Sequence, residues 1–256
     1  MREQSLKKKV KYFLESPKYG RKDAVEVISI IMRYGPTVII GGMLRDLAVS
    51  GNREFCSDID LVINPDDIEL FEEQMMFLGA KKNKLGGYGL QAKKWKVDVW
   101  PLEKTWVKEK GYREVNHFKD LLFTTFFNWD AILYDLNNDK IIADRQYFKN
   151  LKDHVLDINF EVSLNPLGNS IRAIRSVYKY DAYLTNRLAK YVYQNIKDIH
   201  DSDILQSEAQ SHAYRFLDSD KLKSFRHEIE EYIALGSQNN FVYDADKQDS
   251  FLLEEA

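Results

Sequence analysis

The sequence predicts an α+β protein. Strands and helices alternate over residues 1–155, helices alone fill residues 156–236, and residues 237–256 read as a flexible tail. Three observations carry this prediction. Short β-branched runs such as Thr37-Val38-Ile39-Ile40 are separated by amphipathic stretches. From about Asn165 onward the apolar residues recur only at helical spacing. Gly236-Ser237-Gln238-Asn239-Asn240 then interrupts that pattern. Composition supports a packed core: of 256 residues 44% are hydrophobic and 13% aromatic, which excludes a disordered chain. Lys and Arg (37) nearly balance Asp and Glu (40), so a protein that coats nucleic acid through bulk charge is not expected. The single Cys56 excludes an internal disulfide, and the five His residues (His117, His154, His200, His212, His227) lack metal-ligand spacing. No apolar run approaches the ~20 residues of a membrane span, and residues 1–17 lack the apolar stretch of a secretory signal, so a cytoplasmic protein is expected.

Leu6, Val10, Phe13 and Leu14 mark a first helix behind Lys7, Lys8 and Lys9, and residues 22–34 a second, stopped by Gly35-Pro36. Thr37–Ile40 reads as a buried strand closed by Gly41-Gly42, and Met43–Val49 as a helix. Asp58 to Ile63 alternates like a half-buried strand, and Pro65-Asp66-Asp67 opens a helix running to Leu78. Lys84 to Leu102, broken at Gly86-Gly87 and Gly89, reads as a hairpin ending in the strand Trp95–Val99. Phe123 to Asp144 turns at Asn137-Asn138-Asp139 between two strands, or between a helix and a strand. Ile171, Ile174 and Val177, then Tyr183, Leu184, Leu188 and Val192, carry the helical pattern onward.

The chemistry concentrates in Ile40-Gly41-Gly42-Met43-Leu44-Arg45-Asp46, a loop, and Ser57-Asp58-Ile59-Asp60. Residues i and i+2 of a strand share a face, so Asp58 and Asp60 set two carboxylates side by side. Such a pair repels unless a cation lies between, and hard oxygen donors suit Mg²⁺, with Mn²⁺ as the substitute. Asp98, on another expected strand, would complete a three-carboxylate, two-metal site. The Gly41-Gly42 turn would let backbone N–H groups and the following helix N-terminus approach a triphosphate. Lys81, Lys82, Lys84, Lys93, Lys94 and Lys96, interleaved with Tyr88 and Trp95, read either as a path for a single strand or as solvated hairpin flanks. Arg172 and Arg175, one helical turn apart, would meet a nucleotide or pair with acids. Phe123, Phe126, Phe127 and Trp129 read as core rather than as a base-stacking box.

Gly41-Gly42-x-x-Arg45-Asp46 with Asp58-x-Asp60-Leu61-Val62 resembles the signature of the polymerase-β-like nucleotidyltransferases, and within them that of bacterial poly(A) polymerases and class II CCA-adding enzymes. Ala131–Asp135 with Ile141–Asp144 is similar to the strand pair closing that family's head, and Asn165-Pro166-Leu167 with Ile171–Arg175 to the start of its neck. The resemblance covers roughly residues 38–175. It implies a head domain with a mixed sheet and flanking helices, then an all-α neck-like domain. It implies that Asp58, Asp60 and Asp98 hold the catalytic metals, that Gly41 and Gly42 hold the triphosphate of an ATP-like donor, and that Arg45 and Asp46 support that loop. Two family motifs are replaced. Thr124-Thr125-Phe126 stands where an Arg-Arg-Asp motif contacts the sugar, and Leu164–Gly168 where Glu-Asp-x-x-Arg reads the base. Little length follows the neck for the segments that hold the elbow of tRNA, so ordinary CCA addition is not expected. The reduced head also resembles nucleotidyltransferases of bacterial anti-phage defence, the Hailong type among them. The resemblance leaves the acceptor as a nucleic-acid 3′ end, a tRNA end, a partner protein or the chain's own Tyr243, or else leaves a nucleotide-binding module without turnover.

Overall fold

The computed structural model describes residues 3–50, 58–211 and 215–243. Cys56, Ser57, His212 and the segment from Asp244 onward lie outside the described residues. The chain divides into two compact units, Met1–Lys149 and Asn150–Ala256.

In the first unit, α1 (Glu3–Glu15) and α2 (Arg21–Ile31) precede β1 (Thr37–Ile40), α3 (Gly42–Val49) and β2 (Ile59–Ile63). There follow α4 (Ile68–Phe77), β3 (Lys81–Lys82), β4 (Tyr88–Ala92), β5 (Trp95–Pro101), α5 (Trp106–Glu109), β6 (Ile132–Asp135) and β7 (Lys140–Ala143). The seven strands form one sheet in the order β3-β4-β5-β2-β1-β6-β7. β2 and β5 run parallel, and every other neighbouring pair is antiparallel. The sheet is mixed, as the resemblance implied.

Both faces of the sheet are covered. Val38, Val62 and Leu133 bury one face with Leu102, Val115, Leu121 and Leu122. On the other, Ile39 and Leu61 are fully buried, as are Leu6, Val10 and Phe13 of α1. The β-branched alternation of β1 and β2 is what supplies two apolar faces at once. Trp95 packs edge-on against Phe13 at 5.2 Å and Tyr88 against Phe71 at 6.1 Å, so both strand aromatics belong to the core. Asp67 caps α4 by accepting from Glu69 N and Leu70 N, each at 3.0 Å. The expected hairpin over residues 84–102 is a three-strand meander, its glycine break joining β3 to β4 and Lys93-Lys94 turning β4 into β5. Both arms around Asn137–Asp139 are strands, β6 and β7.

After α6 (Tyr147–Lys152), the second unit holds β8 (Val155–Leu156), α7 (Pro166–Tyr180), β9 (Tyr183–Leu184), α8 (Asn186–Ile196), α9 (Asp201–Ser211) and α10 (Ser219–Ala234). Ile171, Ile174, Val177, Leu188, Val192, Ile204, Phe225 and Ile229 form its core. Two expectations are corrected. Tyr183 and Leu184 are not helical: they pair in parallel with Val155 and Leu156, because Thr185 starts α8 by accepting from Leu188 N. Residues 237–243, expected as the start of a flexible tail, are packed: Phe241 is buried and exchanges backbone hydrogen bonds with Leu184 at 2.7 and 2.9 Å. Tyr243 stacks edge-on on Tyr178 at 4.7 Å, and its hydroxyl lies 2.9 Å from Ser224 Oγ. None of the helices among the described residues is long and apolar enough to cross a membrane.

Candidate active site

The sheet register builds the site. Ile40 pairs with Asp60, Asp60 with Asp98, and Asp98 with Gly89, so these four residues form one row across β1, β2, β5 and β4. Neighbouring strands lie ~4.8 Å apart, which sets Asp60 and Asp98 directly side by side on one face. Glycine at 89 leaves the Asp98 carboxylate its room in this row: a Cβ there would lie 2.9 Å from Asp98 Oδ1 and push it aside. Gly41 continues the Ile40 end of the row. Its φ of 74° suits glycine, and its carbonyl accepts from Leu44 N and Arg45 N to start α3. The N-terminus of α3 thus emerges beside the end of the strand that borders Asp60.

Lys96 stands among the carboxylates. Its Nζ lies 2.6 Å from Asp98 Oδ2 and 3.1 Å from Asp58 Oδ2, bridging the strand that carries Asp98 to the residue preceding β2. Partial burial lowers the ammonium's pKa, but the hydrogen bonds to Asp98 and Asp58 outweigh it and hold it above the ordinary lysine range. Burial, with Asp98 and Asp58 as like-charged neighbours, pushes the Asp60 carboxyl up to about 7. Carboxylates crowded in this way repel one another, and a positive charge placed among them relieves that repulsion.

Among the described residues no group of three or more His, Cys, Asp or Glu side chains is arranged to hold a metal ion, so the expected three-carboxylate group of Asp58, Asp60 and Asp98 is not assembled as one in this arrangement. The donor chemistry is nevertheless of the kind a hard divalent cation takes. It offers carboxylate oxygens from adjacent residues, and one positive charge already stands between two of them.

Arg45 and Asp46 lie beneath the glycine turn. Arg45 Nε and Nη2 each donate to Asp46 Oδ1 at 2.9 Å, and Nη1 donates to Asp130 Oδ1 at 2.5 Å. The guanidinium also lies close to Gly42: a Cβ built there would stand 3.5 Å from Arg45 Nη2. Sequence reasoning missed Asp130. Its signal is a lone acid within the apolar run Phe126–Leu133, since a buried carboxylate needs a partner. Lys96 was read with the hairpin lysines, although the i, i+2 rule places it on the face of Asp98.

Other expected residues go elsewhere. Arg175 pairs with the fully buried Glu208, which also accepts from Phe216 N and Leu217 N at 3.1 Å, so Arg175 braces the second unit. Arg172 is half-buried on α7. The lysine–aromatic path disperses: Tyr88 and Trp95 are buried and Lys93 pairs with Asp23 at 2.9 Å. Phe127 and Trp129 are core, as expected, whereas Phe123 is exposed. Thr124 Oγ1 and Thr125 Oγ1 donate to the carbonyls of Leu121 and Phe127 at 2.9 and 3.1 Å.

No protein-family model and no curated protein matches the sequence. Solved structures do match. A CCA-adding enzyme in complex with CTP is 18% identical over 90% of this chain, with a TM-score of 0.58. A tRNA-processing enzyme with CTP is 20% identical over 80%, with a TM-score of 0.53. The Thermotoga maritima CCA-adding enzyme complexed with tRNA is 20% identical over 86%, with a TM-score of 0.52. The chain spans about half the length of these proteins, 55%, 56% and 49% respectively. Over most of its length it has the fold of the CCA-adding enzymes, an α+β head followed by helices.

Proposed function

We propose that the protein is a nucleotidyltransferase that moves a nucleoside monophosphate from an ATP-like triphosphate, ATP or dATP, to a hydroxyl at a nucleic-acid 3′ end. The observation that carries this reading is the row Ile40–Asp60–Asp98, which sets two strand carboxylates, with Asp58 beside them, next to the Gly41-Gly42 turn and the N-terminus of α3. The structural neighbours, captured with CTP or with tRNA, share that fold and make a tRNA end the first acceptor to test.

Asp58, Asp60 and Asp98 would hold Mg²⁺ or Mn²⁺, which when bound neutralises the triphosphate and activates the attacking hydroxyl. The turn and the α3 N-terminus orient the phosphate tail. Arg45 keeps that turn in place through Asp46 and Asp130. Asp98 would accept the proton of the acceptor hydroxyl as its oxygen bonds to the α-phosphorus and pyrophosphate leaves.

Thr124 and Thr125, tied to backbone carbonyls, offer no guanidinium fork to a ribose, which supports acceptance of deoxynucleotides. That replacement, with Leu164–Gly168 in place of a base-reading motif, is what supports oligonucleotide synthesis in anti-phage defence as the setting. Tyr243, bonded to Ser224 and packed on Tyr178, is not favoured as the acceptor. One observation favours a second reading, a nucleotide-binding module without turnover: the Lys96 ammonium already neutralises part of the carboxylate cluster.

One experiment separates the two. The protein is incubated with Mg²⁺ and each α-labelled NTP and dNTP, with and without tRNA, alongside Asp58→Ala. Label on an oligonucleotide or tRNA, lost in Asp58→Ala, supports the transferase. Nucleotide binding by calorimetry with no label under any condition would replace it with the silent module.

A further inference from the structure

We propose that Lys96 is a resident counter-ion of the carboxylate cluster, occupying the place of a divalent cation and withdrawing when one binds, so that this site takes up metal by exchange. The inference rests on the reading of Asp58, Asp60 and Asp98 as metal ligands.

Its ammonium touches carboxylates on both sides, Asp98 at 2.6 Å and Asp58 at 3.1 Å, which is where opposite charge has most effect. The side chain can leave. It is 48% exposed, and its partner Asp58 is 52% exposed, so water reaches both and open space lies beside the ammonium. A lysine suits that task, because its head is a strongly hydrated point charge on a flexible stem, whereas an arginine fork would fix the carboxylates bidentately. Arg45, the nearby alternative, is committed to Asp46 and Asp130 and stays with the turn. Asp98 keeps one oxygen toward Gly89 and gives the other to Lys96, so withdrawal of the ammonium frees an oxygen without moving β5.

Exchange has two consequences. Without divalent cation, Lys96 relieves repulsion that would otherwise destabilise the sheet end. With cation present, Lys96 is a competitor, and removing it tightens metal binding.

The test is Mn²⁺ binding by calorimetry, with melting temperatures in EDTA and in Mn²⁺, for the wild type, Lys96→Met and Asp60→Asn. Lys96→Met is expected to bind Mn²⁺ about 10-fold more tightly and to melt lower in EDTA, with a larger gain on adding Mn²⁺. If Lys96→Met does not fold, Lys96→Gln takes its place in the same measurements. Mn²⁺ binding that is unchanged or weaker in the lysine variant, while Asp60→Asn abolishes it, overturns the exchange and leaves the metal reading standing. No Mn²⁺ binding by any of the three proteins overturns both.

Discussion

Two of the charged networks in the first unit, one beneath the glycine turn and one at the strand carboxylates, are built differently. The Arg45–Asp46–Asp130 network uses a guanidinium fork whose side chains are 18%, 12% and 8% exposed. The Lys96–Asp58–Asp98 network uses a half-exposed ammonium and one exposed carboxylate. A buried fork that satisfies two acids has one geometry and is costly to break. A solvated lysine between carboxylates has several geometries and is cheap to rearrange. On the proposed reading the first would hold the glycine turn still, and the second would leave its carboxylates able to change partners. Scaffold and site are thus distinguished by which cation is used and how far water reaches it.

Substitutions sharpen that comparison. The largest effect is expected at the carboxylates: Asp60→Ala should lower nucleotidyl transfer by at least ~10³-fold with the fold kept, because charge neutralisation at the α-phosphate depends on it. Circular dichroism with the transfer assay checks this, and retained transfer would assign the chemistry elsewhere. Next, Asp130→Ala should cost about 3 kcal/mol of stability, since it leaves the enclosed Arg45 short of a partner. Denaturant unfolding measures it, and a change under about 0.5 kcal/mol, the range of ordinary surface substitutions, would remove the contrast between the networks.

Asp60→Asn should act the other way on stability. The Asp60 pKa is raised to about 7 from an ordinary 3.8. An acid raised in the folded state is most favourable to folding below its unfolded pKa, and that stability is lost as pH rises through about 7. In EDTA at pH 8 the asparagine variant should therefore be more stable than the wild type, with the gain shrinking toward pH 4. A gain independent of pH would mean that carboxylate repulsion is not its source. The smallest effect is expected from Gly89→Ala, whose Cβ would crowd Asp98 Oδ1. Transfer should fall about 10-fold with little loss of stability, because misplacing one reacting group by a fraction of an ångström is felt in the rate.

Much of the fold was legible because its signals are local. Thr37–Ile40, Gly41-Gly42 and Asp58–Ile63 declare strand, turn and strand through β-branching, glycine and period-2 alternation. What escaped depends on partners distant in the chain. Asp130 matters because β6 lies beside β1, bringing it to Arg45 from 85 residues away. For Arg175 the sequence leaves a nucleotide contact and an acid partner equally open, and only α9, which supplies Glu208 33 residues later, decides for the acid. Tyr183 and Leu184 fit a helical pattern but are held as a strand by Val155 and Leu156. Phe241 lies in a polar stretch, yet its ring packs 5.6 Å from Phe225 and 5.4 Å from Tyr232. Each is tertiary context overriding a local pattern.

The most direct measurement is pyrophosphate release from each NTP and dNTP in Mg²⁺, with tRNA supplied, by the wild type and by Asp98→Asn at matched folded concentration. The account predicts release by the wild type from at least one nucleotide and a loss of ~10²-fold or more in Asp98→Asn with an unchanged circular dichroism spectrum. Equal release by the two folded proteins, or none by the wild type with any nucleotide, would contradict it.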